Sequence, residues 1–320
     1  YKKIKKVVDE KSAFFTILFL CFCPSIMMFN SSFHTESIFF CIQLFLLAFL
    51  TIPSRKIFYN LIIGLTLGFL FLQKTIAIFY IFPILLYIIL SLKKNFLKSI
   101  MIISSSFMII LILVGYGNYK RMGKFYIMPT QGGEAIYHYL TSPILSKSET
   151  ILKENVSKKI LTDRQKWLAK NNINLEKETD RLKFIEYKKD YTIKLILNNP
   201  LISAKHIVWK SIQTGILNPL YVYHYHDYEQ NIRDPFYLKK KYMNKWIPIS
   251  IGYSLIIYLI IVSGFFYSLR KIEPKFNLLL SFSAIYMFLI PGWVGNSRYF
   301  VPCLIYLSIY FGYGLLFLLN

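Results

Sequence analysis

Acidic side chains are scarce in this chain. Sixteen Asp and Glu stand against 38 Lys and Arg in 320 residues, a formal net charge of +22. Cysteine is scarcer still, and all four copies (Cys21, Cys23, Cys41 and Cys303) fall inside apolar runs. That placement excludes a disulfide framework. Cys21 and Cys23, two residues apart, point to nearly opposite faces of a helix and cannot chelate one ion together. The sequence also lacks a phosphate-cradling P-loop, a dinucleotide fingerprint, a Ser-His-Asp signature, an internal repeat and a low-complexity tract. Those absences remove the nucleotide-hydrolysing, dinucleotide-dependent and triad-hydrolase classes from the reading.

What is abundant is apolar sequence. Hydrophobic residues make up 55% of the chain and the mean hydropathy is +0.44. Long apolar runs such as 12–29, 99–116, 247–269 and 301–319 mark an all-α polytopic membrane protein. About eight transmembrane helices are expected, near 12–29, 36–52, 57–72, 76–92, 99–117, 247–268, 276–291 and 301–319. They fall into two blocks, 1–117 and 246–320, separated by a polar, largely helical insertion over 118–245.

The positive charge invites a nucleic-acid reading, but its distribution opposes one. Outside 118–245 only 19 charged residues remain, and 16 of them form four tight groups: Lys2 to Lys11, Arg55-Lys56, Lys93 to Lys98 and Arg270 to Lys275. Alternating the spans from a cytoplasmic N-terminus puts all four groups inside, as the positive-inside rule requires. The insertion then lies outside, and its 23 basic and 12 acidic residues suit anionic lipid head groups or a polyanionic glycan as well as bare solvent. Its charged segments 148–170 and 175–197 read as helices, and Asn198-Asn199-Pro200 breaks the pattern, with Pro200 fitted to open a new helix. Ile202, Ile207, Val208 and Ile212 give that helix an apolar face suited to the membrane or to other helices.

Three charges stand outside every group: Glu36, Lys74 and Arg298. A charge at hydrocarbon depth costs about 2.5–3.5 kcal/mol on insertion scales, so such residues are functional candidates. The alternation puts all three on the outer face. Each also has a plainer reading. Glu36 suits a helix N-terminus, with Thr35 or Ser32 as cap. Lys74 can snorkel to water and Arg298 can anchor the interface. His34 is a weaker candidate beside Glu36. The run Tyr223-His-Tyr-His-Asp-Tyr-Glu229 puts His224 and His226 on one face of a strand, with Asp227 and Glu229 nearby, but offers no persuasive third metal ligand. No metal ligand set is assigned, and a divalent cation is the one cofactor left open.

Four stretches together resemble a known family: Phe29-Asn-Ser-Ser-Phe-His-Thr-Glu36 after an apolar helix; Gly64-Leu-Thr-Leu-Gly-Phe-Leu-Phe-Leu-Gln-Lys-Thr75; Leu197-Asn-Asn-Pro200 before a basic amphipathic helix; and Ser297-Arg-Tyr-Phe-Val-Pro302 opening the last helix. Their order and spacing are similar to the C-type membrane glycosyltransferases. More narrowly, they resemble the bacterial relatives of the dolichyl-phosphate-mannose protein mannosyltransferases and of the aminoarabinose lipid A transferase. The resemblance implies an enzyme of the bacterial inner membrane that moves a sugar from a polyprenyl-phosphate donor to an extracytoplasmic lipid, glycan or protein acceptor. It implies that Lys74, Arg298 and Tyr299 hold the lipid phosphate, that Glu36 is an accessory acid, and that Gln131 and Glu134 belong to a substrate loop. Gln73 stands where the family carries Thr. The family's main catalytic Asp lies in a loop upstream of Tyr1, so this chain is expected to lack it. Two other readings stay open: a cell-surface polysaccharide polymerase or ligase, distinguished by lacking that acidic first loop, and a lipid or solute transporter. A transporter would place its charges near the midplane on broken helices rather than at outer ends. A lipid-binding or scaffolding role without catalysis remains a further alternative.

Overall fold

The computed structural model describes residues 8–23, 26, 35–52, 56–92, 96–127, 136–216, 235–292 and 300–320. Among them every element is helical. In chain order these are α1 (Glu10–Phe22), α2 (Thr35–Leu50), α3 (Ile57–Gln73), a 3-10 turn (Thr75–Tyr80), α4 (Ile81–Ser91), α5 (Phe96–Met122), a π-turn (Tyr137–Thr141), α6 (Ser142–Ser148), α7 (Lys153–Lys170), α8 (Glu178–Asn198), α9 (Pro200–Ile216), α10 (Pro235–Ser268), α11 (Pro274–Gly292) and α12 (Val301–Leu319). Among the described residues, three helices are long and apolar enough to cross a membrane, over Phe96–Arg121, Ile251–Ser268 and Val301–Leu319. Shorter apolar helices cover Ser37–Leu50, Ile57–Gln73, Thr75–Ser91 and Pro274–Leu289.

Several limits differ from those read from hydropathy. The segment expected as one span over 76–92 begins as a 3-10 turn and becomes α-helical only at Ile81. Pro83 lacks the N–H that would close an α-helical bond back to Phe79, which favours a tighter first turn. Helix α5 continues past the apolar run to Met122. It stops at Gly123, whose φ of +69° lies in the left-handed region that favours glycine, and whose N–H donates to the Tyr119 carbonyl at 2.8 Å.

The chain divides into two compact units, Tyr1–Ile110 with Ile212–Asn320, and Leu111–Ser211. In the first, α12 is the hub, touching α1, α2, α10 and α11, and most of its residues are buried. Lipid tails are as apolar as leucine side chains, so helices in a bilayer associate through close packing and hydrogen bonds rather than hydrophobic expulsion. Both devices are present. Gly264 of α10 lies against the backbone of Tyr310 and Gly314, and Gly314 against the carbonyl of Ile260, so the two helices cross backbone to backbone. On another side of α12, Gly312 meets Ser12 and Thr16 of α1. The Tyr310 hydroxyl donates to Asn277 Oδ1 at 2.7 Å and lies 2.8 Å from Ser281 Oγ, tying α12 to α11. Asn60 Nδ2 donates to Ser99 Oγ at 2.9 Å, tying α3 to α5 where Gly64 admits the Ile103 carbonyl.

In the second unit, α6, α8 and the π-turn pack around Tyr137, Leu140, Ile144, Leu145, Leu182 and Ile185. Thr141 and Thr192 share a buried hydroxyl–hydroxyl bond of 2.8 Å. Lys188 is 7% exposed and its ammonium lies 4.4 Å from the Phe184 ring centroid. A cation–π contact of this kind offsets part of the cost of a buried ammonium.

Candidate functional site

Lys74 ends α3. It has an extended backbone (φ −146°, ψ 118°) between α3 and the 3-10 turn. Its N–H closes the last turn of α3 on Leu70 O at 2.9 Å, and its carbonyl accepts from Ala77 N at 2.9 Å. The residue therefore has both backbone groups fixed while its side chain remains half exposed. The ammonium stands 5.9 Å from the centroid of Phe39, a buried ring of α2. Glu36 lies three residues before Phe39 in the same helix. Alternation of the spans pairs these elements only through a shared face, whereas in the structure α2 and α3 are packed neighbours.

Below Lys74 the chain is held by a belt of buried hydroxyls that sequence inspection did not find. Tyr80, 1% exposed, bonds through its hydroxyl to the Tyr306 hydroxyl and donates to Ser283 Oγ at 3.4 Å. Gln43 Nε2 donates to Tyr306 at 3.2 Å. The Tyr286 hydroxyl donates to the carbonyl of Ile76, inside the 3-10 turn, and the Tyr80 and Tyr286 rings stack at 5.9 Å. Each buried bond contributes about 0.5–1.5 kcal/mol net, and losing one partner costs more because the other is left unpaired. Gln43 was the available signal, a lone amide inside the apolar run of α2.

The belt has a regular relation to the three lone charges. Gln43 is seven residues after Glu36, Tyr80 is six after Lys74, and Tyr306 is eight after Arg298. Each belt residue follows its charge toward the same end of its segment. Around the start of α12, a small apolar cleft is lined by Phe19, Cys23, Tyr253, Tyr258, Phe300 and Leu304.

Of the residues singled out by sequence, Lys74 is described in full. Glu36 is placed in α2, without its side chain. Arg298, Tyr299, Gln131, Glu134, His34, His224, His226, Asp227 and Glu229 lie outside the described residues. Among the described residues no three His, Cys, Asp or Glu side chains converge to hold a metal ion.

The second unit holds its own titratable cluster. Trp167 stacks on Tyr187 at 4.4 Å, and the Tyr191 hydroxyl donates to Asp163 Oδ2 at 3.2 Å. Burial, then the neighbouring Tyr137 and Asp163, push Tyr187 up to about 12, and burial with the Asp163 carboxylate raises Tyr191 further. These phenols are therefore neutral hydrogen-bond donors at physiological pH, not bases. Burial also holds His206 below the usual histidine range, helped by Lys147 and Lys210 and opposed by a bond to the Tyr139 backbone.

No curated protein and no solved structure matches the chain significantly. A family profile does: residues 1–116, which carry Glu36, Phe39, Gln43, Lys74 and Tyr80, match that of the dolichyl-phosphate-mannose-protein mannosyltransferases. Across those residues the chain resembles this family of membrane glycosyltransferases.

Proposed function

We propose that the protein is an integral membrane glycosyltransferase that takes a sugar from a polyprenyl-phosphate donor and gives it to an extracytoplasmic acceptor. One observation carries the assignment of its site. The Tyr306 hydroxyl bonds to both Gln43 and Tyr80, and each of the three lies six to eight residues beyond a lone charge in the same direction along the sequence. The offsets are short in sequence, and the bonds hold α2, the 3-10 turn after Lys74 and α12 together, which supports a shared site for Glu36, Lys74 and Arg298.

The chemistry suited to such a trio is displacement at an anomeric carbon. The acceptor oxygen bonds to that carbon, the bond to the phosphate oxygen breaks, and the acceptor proton passes to a carboxylate. Negative charge builds on the departing phosphate. Lys74 and Arg298 offset it, Arg298 with a planar guanidinium that pairs with two oxygens. Tyr299 donates to the same phosphate and Glu36 orients the acceptor hydroxyl. Gln131 and Glu134 contact the acceptor. The cleft bordered by Phe300 is apolar, which suits contact with the isoprenoid tail of the carrier. The acceptor and donor face is the extracytoplasmic side of the bacterial inner membrane.

The test is release of polyprenyl phosphate from a labelled polyprenyl-phosphate sugar by the full-length protein, alongside Lys74→Ala and Arg298→Ala. Turnover by the wild type with loss in both variants supports the reading. Equal turnover in all three overturns the phosphate site. An export assay with no release of polyprenyl phosphate favours a transporter.

A further inference from the structure

Helix α9 is inside out. The side chains it buries are polar: Ser203 at 2% exposure, His206 at 5% and Ser211 at 0%. The side chains it leaves outside are apolar: Leu201 at 76%, Trp209 at 64%, Val208 at 49% and Ile212 at 38%. With Lys205 between them, the spacing of 201, 205, 208, 209 and 212 makes one continuous stripe along the helix. The end of α8, just before it in the chain, also leaves Ile193 and Leu197 exposed, the latter at 71%. A helix facing water would carry the opposite arrangement.

The inward polar groups are largely satisfied, so the inversion does not come from a misplaced face. Ser203 Oγ donates to Asn199 O at 2.8 Å, Ser211 Oγ donates to Ile207 O at 2.9 Å, and His206 bonds to the Tyr139 backbone. The outer stripe is what lacks a counterpart. Charge identifies it. From Tyr191 to Ile216 the chain has three lysines, Lys194, Lys205 and Lys210, and no acidic residue. The last turn of the helix, in the first unit, docks on a membrane-crossing helix, where Tyr258 of α10 donates to the Gly215 carbonyl at 2.9 Å.

We infer that the outer face of α9, with the end of α8, lies in the interface of the membrane the chain spans and selects anionic phospholipid head groups. Leu201, Val208, Trp209 and Ile212 sink into the acyl boundary, with the indole at head-group level. Lys205, in the middle of the stripe, lies along the acyl boundary with its ammonium raised to the phosphates, and Lys194 does the same at the α8 end. This inference is independent of the glycosyltransferase reading.

Tryptophan quenching in reconstituted full-length protein tests it. The difference between wild type and Trp209→Phe isolates the Trp209 signal in vesicles of phosphatidylcholine with or without phosphatidylglycerol. Brominated phosphatidylcholine should quench that signal, and brominated phosphatidylglycerol should quench it more strongly, reflecting roughly fivefold local enrichment of anionic lipid per lysine. The double variant Lys194→Gln, Lys205→Gln should bring the two lipids to parity while retaining quenching by phosphatidylcholine. Quenching by aqueous acrylamide without quenching by lipid would overturn the inference. So would protection from both quenchers, which would mean a protein partner or second copy covers the face. Equal quenching by both lipids in the wild type would overturn the anionic selectivity.

Discussion

The crossing of α10 and α12 makes the sharpest stability prediction, because one helix contains both its test and its control. A Cβ placed on Gly264 would meet the Tyr310 carbonyl oxygen and the Gly314 amide nitrogen, while a Cβ on Gly252 of the same helix would meet nothing within 4 Å. Both substitutions gain about 1 kcal/mol of intrinsic helix propensity, since glycine is the poorest ordinary helix former. Gly264→Ala must in addition push two backbones apart, and backbone atoms cannot swing aside as a side-chain end can. Overpacking costs about 1–3 kcal/mol, and a backbone-to-backbone clash belongs at the upper end. A gap of even half an ångström forfeits about a quarter of each dispersion well along the contact. The net expectation is a loss of roughly 2 kcal/mol for Gly264→Ala and a gain of up to about 1 kcal/mol for Gly252→Ala. Gly314→Ala, whose Cβ would meet the Ile260 carbonyl, should resemble Gly264→Ala. The double variant should cost less than the sum, because the first substitution already parts the helices. Equilibrium unfolding by steric trapping in bicelles reads all four. If Gly264→Ala is as stable as Gly252→Ala, the two helices do not cross in backbone contact.

Three further perturbations address the site and the second unit. In a double-mutant cycle on Tyr80→Phe and Tyr306→Phe, the coupling energy should be about 1 kcal/mol, the size of a buried hydroxyl pair between membrane helices; zero coupling would dissolve the belt. Lys74→Ala should weaken binding of undecaprenyl phosphate, measured by native mass spectrometry in detergent, by roughly 10- to 100-fold, and Lys74→Arg should retain most of it. An unchanged affinity in the alanine variant would remove Lys74 from the phosphate site. His206 is held neutral by burial, so its folded pKa lies below the unfolded value of about 6.5. The unfolded chain therefore takes up the proton first, and stability falls as pH drops from about 6.5 toward the folded pKa. His206→Gln should flatten that slope in acid-unfolding measurements, and an unchanged slope would show that another group sets it.

Much of this architecture is legible in the sequence wherever a local pattern determines it. Pro200 marks the start of α9, Val301 opens α12 where the apolar run begins, and the charged stretches of the second unit form α7 and α8 near their expected limits. The errors share one physical origin, which is that hydropathy reports the reach of the hydrocarbon while hydrogen bonding and caps set the reach of the helix. Helix α10 extends to Pro235, through Lys239, Lys240 and Lys241, well before the apolar run. Helix α5 ends at Met122, five residues after the expected span, against the left-handed Gly123. The 3-10 turn after Lys74 lies in a stretch that reads from hydropathy as one continuous span.

The belt was illegible for a different reason. Gln43 and Tyr306 are 263 positions apart, and Tyr80 and Tyr306 are 226 apart, so no local pattern could pair them. A lone amide or phenol in an apolar run is unremarkable until its partners are known. Once they are, the three lone charges cease to be separate anomalies. Glu36 and Lys74 each precede by a few residues a side chain that bonds to Tyr306, and Tyr306 itself follows Arg298 by eight positions in sequence. In a bilayer those ties persist, since breaking one exposes a hydroxyl or amide to hydrocarbon with no water to replace its partner. Ties that hold α2, the turn after Lys74 and α12 together suit the proposed site, where phosphate and acceptor must meet at a single carbon.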